Sequence, residues 1–331
     1  MKTTTTYSIA GPDTFRLASR KCPDGSGTNM QNWDKDVRSL VIPSEGKILG
    51  QSDQSGAEAK IVAYLCRKGN FRALFDNNIK PHVYVAMQLF QEQWKSSCEE
   101  VSRLCCLKIQ DLKQDPEFKP LEKLIKESDN WPPSQRYYYM AKQVCHAANY
   151  KIGKNEFVSN TLKKSEGAIV LKPETAQKFL DFYYKLFPEI LEWHRAIENQ
   201  VRTTMLLKNL FGHPRKFTGL FRPDLLKKAL AFIPQSTVGM ITNIAIVELQ
   251  ERIDNGELPG LDLLQNGHDS ILWQCYIGDE KDMAVEVAKH LNRKLLSPRG
   301  EPFSMSSEVA VGYNWKPASE KNPEGLKEIK L

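Results

Sequence analysis

Strand-like patterns stand at the two ends of this chain, and a long stretch of helical pattern separates them. Residues 47–53, Lys-Ile-Leu-Gly-Gln-Ser-Asp, read as a strand. Two more apolar runs, about 261–266 and 270–276, flank the short turn Gly267-His268-Asp269. The alternation Phe303, Met305 and then Val309, Val311 reads as a final strand. Strands so far apart in sequence build one sheet only if the segment between them is an insert. The expectation is an α+β chain whose sheet is assembled from distant segments.

The insert reads as helices. Ala57, Ile61, Tyr64 and Leu65 recur at helical spacing straight after the first strand. Residues 107–130 are polar and charged and read as a surface excursion. Trp131-Pro132-Pro133 then punctuates the chain, with Ser134 as the expected N-cap of a helix over about 134–150. Two helices follow, one from Pro173 and one after Pro188. Residues 206–218 suggest a hairpin around Phe211-Gly212-His213-Pro214. A long helix over about 224–253 is expected, interrupted near Pro234, and another over about 279–297. Residues 1–46 are rich in turn formers and read as loops with short strands.

Composition narrows the class. With 331 residues, 41% hydrophobic and 26% charged, the chain can bury sizeable cores and is not a disordered tail. The net charge is +6, but residues 201–230 carry seven Lys or Arg against one Asp, a face suited to a phosphate backbone. Cys22, Cys66, Cys98, Cys105, Cys106, Cys145 and Cys275 show no Cys-x-x-Cys pair, and they read as reduced thiols of a cytoplasmic protein. No stretch reads as a signal peptide or a membrane span.

Three groups of residues could carry chemistry. Asp53 ends a strand and Asp269 sits in a strand-flanked turn. On adjacent strands they could hold two divalent cations about 4 Å apart, the arrangement that clamps the oxygens of phosphoryl transfer. Mg²⁺ suits such an all-oxygen site. Lys142, His146 and Tyr150 are spaced by four on one helix face, where a cation and two rings could meet a triphosphate and a base or sugar. Glu58 lies just over one helical turn from Asp53. Each signal alone also fits a bland role: a cap, a snorkelling lysine, a solvated glutamate.

Their order along the chain is more specific. Asp53-Gln54-Ser55-Gly56-Ala57-Glu58-Ala59-Lys60 resembles motif A of the family A DNA polymerases. Lys142-x-x-x-His146-x-x-Asn149-Tyr150 is similar to motif B in its phage form, and Gly267-His268-Asp269-Ser270 to motif C. Thr14 to Ser19 with Met30-Gln31-Asn32, Asn209 to Arg215, Pro234-Gln235-Ser236-Thr237 and Val311 to Trp315 resemble the connecting segments. The resemblance covers about residues 7–317.

The resemblance implies an antiparallel-sheet palm over 1–66 and 206–331, with a mostly helical fingers subdomain over 67–205. It implies a template-directed DNA polymerase that adds deoxynucleoside triphosphates to a primer with two Mg²⁺ ions, for which Mn²⁺ is an admissible substitute. Asp53, Asp269 and the carbonyl of Gln54 would bind metal. Glu58 would be a steric gate against ribose. Lys142, His82, His146, Tyr150 and Arg136 would meet the nucleotide. Arg16, Gln31, Gln235 and His268 would line the primer terminus and minor groove. Arg215, Lys216, Lys227 and Lys228 would hold phosphates.

The departures are as informative. Tyr138 stands where the family has an arginine four residues before the motif B lysine, with Arg136 the nearest replacement. Ser270 replaces the motif C glutamate, and His146 replaces a Phe or Tyr. The family's thumb and exonuclease domains are not represented, so no proofreading is expected of this chain. It would be a fragment, or one half of a split polymerase whose thumb and exonuclease are a separate polypeptide. The form of motif B suggests a phage or mobile element, hence a bacterial host cytoplasm. A single-subunit RNA polymerase fits less well because of Glu58. A catalytically silent DNA-binding remnant is kept open by Tyr138 and Ser270.

Overall fold

The computed structural model describes residues 3–8, 11–34, 36–95 and 99–331, so Cys98 lies outside the described residues. In chain order, β1 (Thr6–Ser8) and β2 (Ala18–Arg20) form a small antiparallel pair. Then come β3 (Lys47–Gln54) and α1 (Ala57–Leu65), followed by α2 (Asn70–Asp76), α3 (Pro81–Leu89), α4 (Gln91–Lys95), α5 (Val101–Cys106), α6 (Ile109–Leu112) and α7 (Phe118–Glu127). Next are α8 (Tyr137–Asn149), α9 (Lys154–Lys164), α10 (Pro173–Leu186) and α11 (Pro188–Thr204). The hairpin β4 (Leu206–Lys208) and β5 (Pro214–Lys216) leads into α12 (Pro223–Asp254). The chain closes with β6 (Asp262–Asn266), β7 (Ser270–Tyr276), α13 (Glu280–Leu291), β8 (Lys294–Leu296), β9 (Pro302–Ser304), β10 (Ser307–Gly312), β11 (Asn314–Pro317) and β12 (Gly325–Ile329).

These elements form two compact units. One comprises Met1–Glu58, Lys208–Arg215 and Phe232–Leu331; the other comprises Ala59–Leu207 and Lys216–Ala231.

The first unit is organised by a six-stranded sheet in the order β11-β12-β10-β3-β7-β6. Neighbouring strands run antiparallel except the edge pair β11 and β12, which is parallel. Strand β3 takes a central place because its residues are usable on both faces. On one face Leu49 joins Leu272, Trp315 and Leu326 in a buried cluster that Trp33 and Val41 cover. On the other, the Trp273 ring lies over Gly50, where an added Cβ would come within 2.2 Å of it. The indole N–H of Trp273 donates to Ser52 Oγ at 3.0 Å, so the buried ring leaves no stranded donor.

The second unit is helical. Helices α3 and α8 pack together. Phe90, Trp94 and Tyr137 form one ring cluster, and Phe71, Tyr183 and Phe187 another. The buried carboxylate of Glu189 accepts the Phe71 amide at 2.6 Å, satisfying an orphan donor at the start of α2. Gly69 is small so that Glu189 can approach: a Cβ there would sit 2.5 Å from the carboxyl.

Several expectations are corrected. Residues 107–130 are no irregular excursion. They hold α6 and α7, and Phe118, Leu121 and Ile125 are buried on one stripe of α7. Ser134 is not the N-cap of α8; it lies in a 3-10 turn (Pro133–Gln135), and Arg136 is the cap residue. The hydroxyl that takes an α8 amide is Ser128, from Tyr138 N at 3.0 Å. Helix α12 runs unbroken through Pro234. It is long and apolar enough by composition to cross a membrane, which the sequence reading did not find, but 61% of its most apolar window is buried inside the protein. The region expected as one helix to residue 297 ends at Leu291 and turns into β8. The stretch expected as one final strand is two, β9 pairing with β8 and β10 pairing with β3, and β11 and β12 follow it.

Candidate active site

In the first unit Asp53, on β3, lies beside the β6–β7 turn that carries Asp269. Asp53 pairs with Ser270 across β3 and β7. The amide of Gln54 donates to the carbonyl of Asp269 at 2.9 Å, which ties the end of β3 to the β6–β7 turn. That turn is tight for a reason. The Gly267 amide donates to Ser270 O at 2.7 Å, and a Cβ on Gly267 would meet Ser270 Oγ at 2.2 Å. His268 takes a left-handed backbone (φ 77°), held by its amide on Asn266 Oδ1 (2.9 Å) and its carbonyl on Thr242 Oγ1 (3.0 Å).

Asp269 sits among charged neighbours, Arg16 and Glu58. Burial pushes its carboxyl above the ordinary range; the charge of Arg16 pulls it back and that of Glu58 pushes it up again. Arg16 is itself engaged by Glu58 in an ion pair, with both side chains mostly covered. Two carboxylates and a backbone carbonyl are hard oxygen donors of the kind a divalent cation takes. The donor set therefore fits Mg²⁺. Among the described residues no three Asp, Glu, His or Cys side chains converge, so the fit rests on the two aspartates and on carbonyl or water ligands.

Other predicted residues of this unit are held by their neighbours. Gln31 spends its side-chain amide on Leu17 O (2.9 Å) and Asn266 O (2.8 Å), and its oxygen accepts the Ser19 amide (2.8 Å). It also lies 3.5 Å from His268 Nδ1. Burial, then Arg16, lowers the His268 pKa. Gln54 is buried, and its side chain donates to Thr242 Oγ1 at 2.8 Å. Gln235 is half-buried on α12. Arg215 pairs with Asp13 and stacks its guanidinium over Phe232.

The second unit gathers a different chemistry on α8 and the start of α3. Lys142 Nζ lies 2.8 Å from Asp129 and 4.2 Å from the Tyr138 ring centre. His82, the second residue of α3, meets the same Tyr138 ring edge-on at 6.1 Å. Burial, then the charges of Lys142, Lys80 and His146, brings the His82 pKa down to about 4, so the ring is neutral at pH 7. His146 is exposed and meets Tyr150 edge-on at 5.1 Å; Tyr150 is the buried C-cap of α8. Arg136 donates to Trp131 O. Lys227 pairs with Glu156 and Asp224, while Lys216 and Lys228 are exposed.

Sequence reasoning missed two residues. Glu308 is the β10 register partner of Asp53, and its Oε1 accepts Ser55 Oγ at 2.8 Å. Asp53 and Glu308 also share the wall of a cavity of about 270 Å³. The signal was present in the strand phase: Val309 and Val311 turn one way, so Glu308 turns the other. Asp129, the partner of Lys142, had no signal, because a short turn thirteen residues upstream of the lysine sets the pairing.

No family model matches the chain. DNA polymerase I of Caldicellulosiruptor bescii is 22% identical over 323 residues, covering 94% of this chain and 32% of the relative. DNA polymerase I of Helicobacter pylori strain J99 is 22% identical over 157 residues, covering 46% of this chain and 17% of the relative. The chain thus spans about a third of the longer match. Among solved structures, the POL domain of Pol1 from M. smegmatis, in complex with DNA primer-template and dNTP, is similar with a TM-score of 0.66 at 18% identity. That match covers 94% of this chain and 48% of the other. Sequence and fold converge: the chain is similar to DNA polymerase I in sequence and to the polymerase domain of Pol1 in fold.

Proposed function

We propose that the chain is a template-directed DNA polymerase of family A, adding deoxynucleoside triphosphates to a primer 3′-hydroxyl. The sheet unit would serve as the palm and the helical unit as the fingers. The observation that carries the reading is the Gln54–Asp269 hydrogen bond, which ties the end of the strand bearing the motif A aspartate to the turn bearing the motif C aspartate. Its support from relatives is the dNTP-and-DNA complex of the similar polymerase domain.

The primer 3′-hydroxyl would lose its proton to water, and its oxygen would bond to the α-phosphorus as the bond to the leaving pyrophosphate breaks. Bound at Asp53, Asp269 and the Gln54 carbonyl, two Mg²⁺ ions would lower the pKa of the primer hydroxyl and offset phosphate charge. The residues of the chain do the rest. Lys142 would neutralise charge on the leaving phosphates. His82, neutral at pH 7, would donate a hydrogen bond there and add no charge. Glu58, fixed by Arg16, would occupy the space of a ribose 2′-hydroxyl. Gln31 would act by holding His268 and the β6–β7 turn, since its own polar atoms are already engaged. Arg215, Lys216, Lys227 and Lys228 would meet DNA phosphates.

Tyr138 and Ser270 favour one second reading, a DNA-binding remnant without catalysis. Primer extension with Mg²⁺ and the four deoxynucleotides separates the two. Extension that Asp53→Ala and Asp269→Ala each abolish, with the fold intact, supports the polymerase. Normal extension by either variant would sink the two-metal assignment.

A further inference from the structure

Lys142 and Asp129 form more than a chance surface contact. Asp129 lies in a single 3-10 turn, Ser128–Asn130, and that turn is tied to the helix bearing the lysine. Ser128 Oγ accepts the Tyr138 amide at 3.0 Å and donates to Ile125 O at 2.6 Å. The two prolines of Trp131-Pro132-Pro133 stiffen the link to α8. Asp129 Oδ1 is buried without a protein partner, which leaves Oδ2 and Lys142 as the engagement of this carboxylate.

The charge balance gives the pair its meaning. Where the resemblance expects an arginine, Tyr138 offers a neutral ring, and Lys142 lies over that ring. His82, against the same ring, carries no charge at pH 7. Lys142 is the cation of this trio, and Asp129 cancels it. A polyanion arriving at this face therefore meets a carboxylate on the lysine it needs.

We propose that Asp129 is a built-in competitor for the triphosphate: a deoxynucleotide gains Lys142 only by displacing the Asp129 carboxylate, and this exchange sets nucleotide affinity. The inference rests on reading Lys142 as the triphosphate residue. The exchange is feasible because both side chains are about one-third exposed, 37% for Lys142 and 31% for Asp129. Ion pairs so exposed are weak, and a triphosphate brings more negative charge than one carboxylate. The displaced carboxylate stays close and still repels the phosphates. The competitor lowers affinity without closing the site.

The test is binding of a fluorescent deoxynucleoside triphosphate to the full chain in Mg²⁺, without primer, for wild type, D129N, K142A and the double variant. Asparagine matches the size of Asp129, and circular dichroism checks that each variant is folded. D129N should tighten binding by about fivefold, the worth of an exposed ion pair. K142A should weaken it, and in the K142A background D129N should give no gain beyond lost repulsion. Unchanged or weaker binding by D129N, with K142A still weakening, would overturn the proposal and leave the nucleotide role of Lys142 standing; Asp129 would then aim the lysine. Unchanged binding by K142A would remove that role and the proposal with it.

Discussion

Glu308 lies directly across from Asp53 in the β10–β3 register, and its Oε1 accepts the Ser55 hydroxyl at 2.8 Å. Ser55 begins the turn out of β3, and its amide is tied to Ser306 O at 3.1 Å. Glu308 thus fixes the backbone that carries the Gln54 carbonyl. Glu308→Ala should raise the Mg²⁺ concentration for half-maximal extension by about tenfold, the worth of a hydrogen bond to a charged group. Glu308→Gln keeps an acceptor for Ser55 and should stay near wild type. A Mg²⁺ titration of both variants decides; equal loss in both would mean that the charge itself matters.

In the proposed site Asp269 would link metal, pH and stability. Its folded-state pKa is raised, chiefly by burial, so the folded protein binds its proton more tightly than the unfolded chain does. For an acid shifted upward, stability falls as pH rises from the ordinary carboxylate pKa through the raised one. Without divalent cations, Asp269→Asn should therefore melt higher than wild type at pH 7, and the difference should vanish at low pH. Adding Mg²⁺ should raise the wild-type melting temperature and leave that of the variant nearly unchanged. Melts in EDTA and in Mg²⁺ at two pH values test this.

Glu58 is held by Arg16, so the proposed gate is a pair and not a lone side chain. Glu58→Ala should cut discrimination against ribonucleotides by about a hundredfold, the scale on which a pocket rejects one added hydroxyl. The measurement is kcat/KM for a ribonucleotide against its deoxy counterpart. Arg16→Ala should show part of the same loss, because Glu58 then loses the ion pair that fixes it. Unchanged selectivity in Glu58→Ala would end its role as a gate.

The strands that carry the aspartates were legible because they alternate and are bounded by turn formers. Strand β7 begins and ends where its pattern predicts, and β3 is one residue longer. What stayed hidden depends on long-range partners. The stripe Phe118, Leu121, Ile125 on α7 is masked by five charged residues in a ten-residue helix, and only burial reveals it. Pro234 reads as a break, yet tertiary packing around Phe232 and Val238 keeps α12 whole. The Ser128 contact that replaces the expected Ser134 cap bridges ten residues, beyond the range of a local capping signal. The same holds for the candidate site: motif order pointed to Asp53 and Asp269, whereas the contacts of Asp129 and Glu308 are set by folding alone.

The closeness of β3 and Trp273 exposes the sheet to a single added carbon. A Cβ at Gly50 would lie 2.2–2.4 Å from three atoms of the Trp273 ring, and that ring is fully buried. A rigid aromatic in a filled core cannot swing aside as the end of a lysine can, and moving it would also break the Trp273–Ser52 hydrogen bond. Gly50→Ala should therefore destabilise the protein by about 2–3 kcal/mol, the cost of overpacking a core. Because Asp53 is three residues further along the same strand, extension should fall as well. The double variant Gly50→Ala/Trp273→Leu removes the clash and should recover part of both losses. Urea denaturation of the three proteins reads the stability, and a Gly50→Ala variant as stable as wild type would show that β3 and Trp273 can move apart at little cost.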